Sequence, residues 1–132
     1  ETVERVREIK SKFFLPVMPV IKVASKADIE NAASFSDCAD WLLFDAAPHA
    51  ETKTGEPNLP GGMGKSFDWR YLAEADLPLP FMLAGGLTAE NVAQAVNLTS
   101  SPCVDVSSGV EKNRGEKSKT AISAFVKAVK FR

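Results

Sequence analysis

Residues 81–97 read FMLAGGLTAENVAQAVN. An apolar run from Phe81 to Ala84 meets the pair Gly85-Gly86, and Thr88 then offers a hydroxyl that can cap a helix from Ala89 to Asn97, with Val92, Ala95 and Val96 on its inner face. Strand, glycine turn and helix in that order make the unit of a parallel βα sheet. The same unit returns on either side. Upstream, Val17 to Ala24 is short, rich in Val and Ile and interrupted near its start by Pro19, which favours a strand over a helix. Ser25 stands three residues before Asp28 and can cap a helix carrying Ala27, Ile29, Ala32 and Ala33. Trp41 to Phe44 is continuously apolar and ends in Asp45, the pattern of a strand buried on both faces. Phe67 to Ala75 reads as a short helix. Downstream, Cys103 to Val106 makes a fourth strand that runs into Ser107-Ser108-Gly109, and Thr120 to Phe131 is a helix with Ile122, Phe125, Val126 and Val129 as its stripe. Ahead of all these, Val3, Val6, Ile9 and Phe13 recur at spacings of three and four between Thr2 and Phe14, a surface helix that Pro16 helps to end.

Four strands alternating with helices predict an α/β fold of parallel βα units, not a sandwich or a helical bundle. A closed eight-unit barrel takes about 250 residues, or about 31 per unit, so a chain of 132 residues has room for roughly four units. The expectation is therefore one incomplete domain over residues 1–132. The chain opens on Glu1, inside what already reads as helix, which suggests a piece of something longer. Four strands out of such a barrel would leave open edges and an uncovered inner face, where Val20, Leu42, Leu83 and Val104 or their alternating neighbours lose packing partners; self-association is expected to follow.

Composition narrows the function classes. Hydrophobic residues make up 45% and charged residues 25%, as in an ordinary globular chain rather than a disordered one. Lys and Arg number 16 against 17 Asp and Glu, and no segment concentrates the basic residues, so nucleic acid is not expected as a partner. No apolar run approaches the roughly 20 residues that span a bilayer, so no membrane partner is expected either. Two cysteines, Cys38 and Cys103, make neither a disulfide framework nor a closely spaced metal clip, which fits a reducing cytoplasm and a packing role for both.

The loops after parallel strands gather on one face, where ligands and catalytic groups collect. Asp45 ends one strand, Gly85-Gly86 follows another, and Asp105 with Ser108-Gly109 ends the last, so all point to one mouth. Successive backbone N–H groups at glycine pairs can cradle an oxyanion without a Lys or Arg; the plainer alternative is that both pairs are turn glycines. A bulky side chain at Gly86 or Gly109 should then weaken substrate binding far more than it changes the fold. Asp45 could merely cap its own loop, but a carboxyl at the edge of an apolar run has its charged form disfavoured and can donate a proton. The stretch Ala46 to Lys65 has four Gly and three Pro and no apolar period, longer than loops without a task usually are. His49 within it reads as an exposed side chain.

Four segments taken together, LLFDA at 42–46, GGMGKSFDW at 61–69, LAGGLTAENV at 83–92 and VDVSSGVE at 104–111, resemble the C-terminal half of the phosphoribosylanthranilate isomerase family, a (β/α)8-barrel enzyme of tryptophan biosynthesis. The resemblance covers nearly the whole chain and implies that its strands are the fifth to eighth of the barrel, preceded by the fourth helix. It implies an Amadori rearrangement of N-(5-phosphoribosyl)anthranilate to 1-(2-carboxyphenylamino)-1-deoxyribulose 5-phosphate, with neither cofactor nor metal. Asp45 matches the family's general acid. Gly85, Gly86, Ser108 and Gly109 match its phosphate site, Asp105 an acid that contacts the sugar, and Gly61, Gly62 and Gly64 the stem of a mobile flap. Met63 stands where the family usually has a small hydroxyl residue, and the flap is longer here. The family's base, a Cys ending the first strand, and its Arg near the end of the second have no counterpart in these residues. The segment alone is therefore expected to be nearly inactive, with the other half of the barrel or a second copy as its partner. The competing expectation is a non-catalytic half-barrel that binds phosphate compounds or a partner chain.

Overall fold

The structure, a computed structural model, describes residues 1–47 and 66–130. The flap glycines Gly61, Gly62 and Gly64, together with His49 and Met63, lie outside the described residues. Four strands, β1 (Val20–Val23), β2 (Leu42–Ala46), β3 (Phe81–Leu83) and β4 (Cys103–Val104), form one sheet in the order β1-β2-β3-β4, every pair parallel. The helices are α1 (Val3–Phe13), α2 (Lys26–Asn31), α3 (Arg70–Ala73), α4 (Val92–Thr99) and α5 (Lys119–Lys130). A small antiparallel hairpin, β5 (Glu111–Asn113) with β6 (Glu116–Lys117), follows β4. Its turn carries Gly115 at φ +82°, a left-handed conformation that glycine adopts without a steric penalty. The sequence reading contained no such hairpin, because its strands are too short and polar to show an alternation.

The helix starts have local causes. The Thr2 hydroxyl accepts from Arg5 N–H at 3.2 Å and opens α1, which ends where Phe14 turns left-handed and donates its N–H to the Lys10 carbonyl. At α2 Ser25 is the N-cap, as expected, and Asp28 completes a capping box with it. Asp28 Oδ2 accepts from the Ala24 and Ser25 N–H groups at 3.0 and 2.8 Å and from Ser25 Oγ at 3.0 Å. Those backbone donors hold the Asp28 carboxyl below its usual range. Asp68 accepts from Arg70 N–H at 3.0 Å and starts α3 later than expected, because Phe67 and Trp69 are drawn into the core instead.

Period-two alternation divides the sheet into two unlike faces. Val23, Leu42, Phe44 and Leu83 point into the layer of helices, packed with Val6, Ile29, Leu87, Val92 and Phe125, and Phe44 meets Phe81 edge to face at 5.7 Å. The register pairs Val20 with Leu43, Leu43 with Met82 and Met82 with Cys103, so these four form a row on the opposite face. There Val20 is 45% exposed and the other three are half-buried. The run at 41–44 is thus buried on one face, not two, since no described element covers the other. The uncovered row is Val20 with Leu43, Met82 and Cys103; Leu42 and Leu83 belong to the helix side. Among the described residues, no helix is long and apolar enough to cross a membrane.

Candidate active site

Because all four strands run the same way, the residues that leave them do so at one edge of the sheet. Asp45 and Lys22 are register partners on β2 and β1, which puts both on the uncovered face, one step beyond the apolar row. The Lys22 ammonium pairs with Asp45 Oδ2, and the Asp45 side chain is 29% exposed. Sequence reasoning set Asp45 against an apolar edge; its neighbour is instead a cation. Lys22 was missed because only the register between two strands, absent from either strand's own sequence, brings it there.

The other carboxylate oxygen faces the next strand. A Cβ built on Gly85 would lie 2.8 Å from Asp45 Oδ1 and 2.3 Å from the Ala46 nitrogen, and Gly85 has φ +85°. Close approach and backbone conformation both require glycine at this position. Beyond it, the Gly86 carbonyl accepts from Asn91 Nδ2 at 2.9 Å, while Asn91 Oδ1 accepts from Thr88 N–H at 2.8 Å. The buried Asn91 side chain therefore braces the whole Gly86–Thr88 turn. Thr88 Oγ1 accepts from Glu90 N–H at 3.3 Å, so the expected cap is present, although residues 89–91 form a turn and α4 proper starts at Val92. Asn91 had a readable signal, a side-chain acceptor three residues after the cap, the spacing of a reciprocal capping pair.

The loop after β4 rests directly on the loop after β3. A Cβ on Gly109 would stand 1.9 Å from the Leu87 carbonyl oxygen and 3.2 Å from Val106 Cγ2. A bulky residue at Gly109 would part the two loops, so the expectation that it would disturb binding with little effect on the fold does not hold. Lys117 Nζ donates to the Ser107 carbonyl at 2.9 Å, to Ser107 Oγ at 3.1 Å and to Glu111 Oε1 at 2.7 Å, tying the hairpin to this loop. That ammonium, with the Gly115 N–H, keeps the Glu111 carboxyl below its usual range. The backbone N–H groups of Gly85, Gly86, Ser108 and Gly109 donate to no other described residue. Asp105 is held by its N–H to the Leu83 carbonyl at 2.8 Å, and its side chain is exposed at the same edge.

The cysteines lie elsewhere. Cys38 is buried, and desolvation pushes its thiol up. Cys103 opens β4 at the end opposite Asp105. Among the described residues no cluster of three or more His, Cys, Asp or Glu side chains could hold a metal. What this edge offers is the carboxyl groups of Asp45 and Asp105, the Lys22 ammonium beside Asp45, and amide donors that have no partner among the described residues and suit an oxyanion.

The family model described as N-(5'phosphoribosyl)anthranilate (PRA) isomerase matches residues 2–128. N-(5'-phosphoribosyl)anthranilate isomerase of Rhodospirillum rubrum is 48% identical over 130 residues, covering 98% of this chain and 57% of the relative. The phosphoribosyl anthranilate isomerase structure from Thermotoga maritima superposes with a TM-score of 0.78 at 30% identity, over 100% of this chain and 58% of that one. A phosphoribosyl anthranilate isomerase solved in complex with reduced 1-(o-carboxyphenylamino)-1-deoxyribulose 5-phosphate superposes with a TM-score of 0.75 at 27% identity, over 100% of this chain and 56% of that one. The chain thus spans a little over half the length of the relatives it matches.

Proposed function

The chain belongs to the N-(5'-phosphoribosyl)anthranilate isomerase family, and from that premise we propose that residues 1–132 form the C-terminal half of a (β/α)8 barrel, a single incomplete domain, which as part of the whole enzyme carries out the Amadori rearrangement of N-(5-phosphoribosyl)anthranilate in the cytoplasm. The observation that carries this reading is the contact between the acid and the first glycine: Asp45 Oδ1 lies so near Gly85 that a methyl group would not fit between them. Proton donor and amide donors therefore share one edge of the sheet. The related solved complex holds reduced 1-(o-carboxyphenylamino)-1-deoxyribulose 5-phosphate, whose phosphate suits such amide donors.

In this mechanism the amides of Gly85, Gly86, Ser108 and Gly109 hold the phosphate and Asp105 meets the sugar hydroxyls. Asp45 gives its proton to the ribose ring oxygen as the bond from C1 to that oxygen breaks. The bonding electrons stay on the oxygen, and the anilino nitrogen lone pair forms the C=N bond of a protonated Schiff base. A base then takes the proton from C2. By resemblance that base and the group holding the anthranilate carboxylate come from the first strands of the barrel, and the stem glycines Gly61, Gly62 and Gly64 serve a flap over the substrate. The uncovered row of Val20, Leu43, Met82 and Cys103 supports the half-barrel reading, since it is apolar and faces the side where a closed barrel has its interior. Without the base, residues 1–132 alone should be slower than the complete enzyme by about 10² to 10⁴.

The test is Asp45→Asn in the complete enzyme, assayed by conversion of N-(5-phosphoribosyl)anthranilate. The amide keeps the shape and loses the acidic proton, so kcat should fall by about 10² or more while KM stays within a few fold. Turnover close to wild type would remove Asp45 from the mechanism, whereas an unsubstituted complete enzyme without turnover would favour the competing reading, a non-catalytic half-barrel that binds phosphate compounds or a partner chain.

A further inference from the structure

We propose that Lys22 is the positioning residue of the proton donor: it holds one oxygen of Asp45 from the neighbouring strand, so that the other is presented beside Gly85 to the substrate. The proposal rests on the reading of Asp45 as the general acid. Three observations support it. Lys22 and Asp45 are direct register partners on adjacent parallel strands, so their side chains leave the sheet side by side on one face. The ammonium meets Oδ2, while Oδ1 is the oxygen that lies toward Gly85, so the two oxygens have separate neighbours. The Lys22 side chain is 55% exposed and has no other partner among the described residues, so packing does not explain its place on this face.

The chemistry gives such a cation a task. When Asp45 delivers its proton to the ring oxygen, a neutral carboxyl becomes a carboxylate at the moment positive charge forms on the substrate's C=N group. The Lys22 ammonium attracts that new carboxylate far more than it attracts the neutral acid. The ammonium therefore receives the carboxylate that the step leaves behind, and what it adds to turnover passes through Asp45. Attachment of Oδ2 also removes rotation about the last bond of the Asp45 side chain, leaving Oδ1 in one direction. A lysine that bound substrate directly would act independently of Asp45. A lysine that acts through Asp45 cannot matter once Asp45 no longer gives a proton.

That difference is measurable in the complete enzyme with N-(5-phosphoribosyl)anthranilate as substrate. Lys22→Met should lower kcat by about 10-fold to 10²-fold with KM within about threefold, and Lys22→Arg, which keeps the charge, should recover most of the loss. In the Asp45→Asn background, Lys22→Met should change kcat by less than about twofold, because effects that pass through one group are not additive. Lys22→Gln is a second removal of the charge, and circular dichroism with thermal melting reports the fold of each variant. A rise in KM at unchanged kcat would overturn the proposal and make Lys22 a substrate contact. Full additivity with Asp45→Asn, or failure of both Lys22→Met and Lys22→Gln to fold, would overturn it as well. An Asp45→Asn enzyme with normal turnover would instead bring down the underlying reading of Asp45, a result plainly different from the others.

Discussion

Three glycines near the sheet edge separate two penalties that usually come together, the cost of a left-handed backbone and the cost of lost space. Gly115 has φ +82° with nothing within 4 Å of a built Cβ, so an alanine there meets only the backbone penalty. That penalty is about 1–2 kcal/mol, offset by about 0.4–1 kcal/mol from the stiffer unfolded chain. Gly109 lies outside the left-handed region, but its Cβ would stand 1.9 Å from the Leu87 carbonyl oxygen, a backbone atom that cannot rotate away. Overpacking of that kind costs about 1–3 kcal/mol and sometimes more. Gly85 combines φ +85° with a Cβ 2.3 Å from the Ala46 nitrogen, so both costs apply and about 2–5 kcal/mol is expected. The predicted order of destabilisation is Gly85→Ala, then Gly109→Ala, then Gly115→Ala. Urea denaturation with a common slope reads all three, and a change in slope would mark an altered end state rather than a stability difference. Gly85→Ala should also lower turnover, because the displaced atoms include Asp45 Oδ1; Gly115→Ala should not. If Gly109→Ala cost no more than Gly115→Ala, the close approach of the two loops would be refuted.

The acid side of the stability curve should depend on Asp28, whose carboxyl is held below its usual range by the Ala24 and Ser25 N–H groups. A lowered folded value means that the unfolded state binds more protons, so this stabilisation is present above the unfolded pKa of about 3.9 and is lost as pH falls through the folded value. Asp28→Ala should cost about 0.5–2 kcal/mol near neutrality and flatten the decline below about pH 4, as read by thermal melting across pH. The two thiols should also separate: Cys103 on the uncovered row should react with a thiol reagent well before Cys38, which is 1% exposed with its thiol pushed up by burial. Adding the N-terminal half of the barrel as a separate chain should then protect Cys103, and unchanged reactivity would count against the half-barrel reading.

The alternation of strand and helix was legible in residues 17–24, 41–45, 81–97 and 103–106 because it depends on local periods, and the parallel sheet reproduces it with boundaries shifted by a few residues. Element starts moved at α3, where Asp68 accepts from Arg70 N–H, and ahead of α4, where residues 89–91 form a turn. Asp45, Gly85, Gly86, Asp105, Ser108 and Gly109 could be picked out because each follows an apolar run, and in a parallel sheet all such positions share one edge. The sequence by itself thus determined the class of fold and which strand ends carry polar chemistry, since both follow from order and spacing along the chain. Only the tertiary structure decided what stands beside what. Lys22 reaches Asp45 through the register of two strands, Gly109 touches Leu87 because two loops meet, and Leu43 is only half-buried while Leu42 is fully buried because helices cover one face of the sheet. Such neighbours come from distant parts of the chain, and local spacing does not encode the contacts between them.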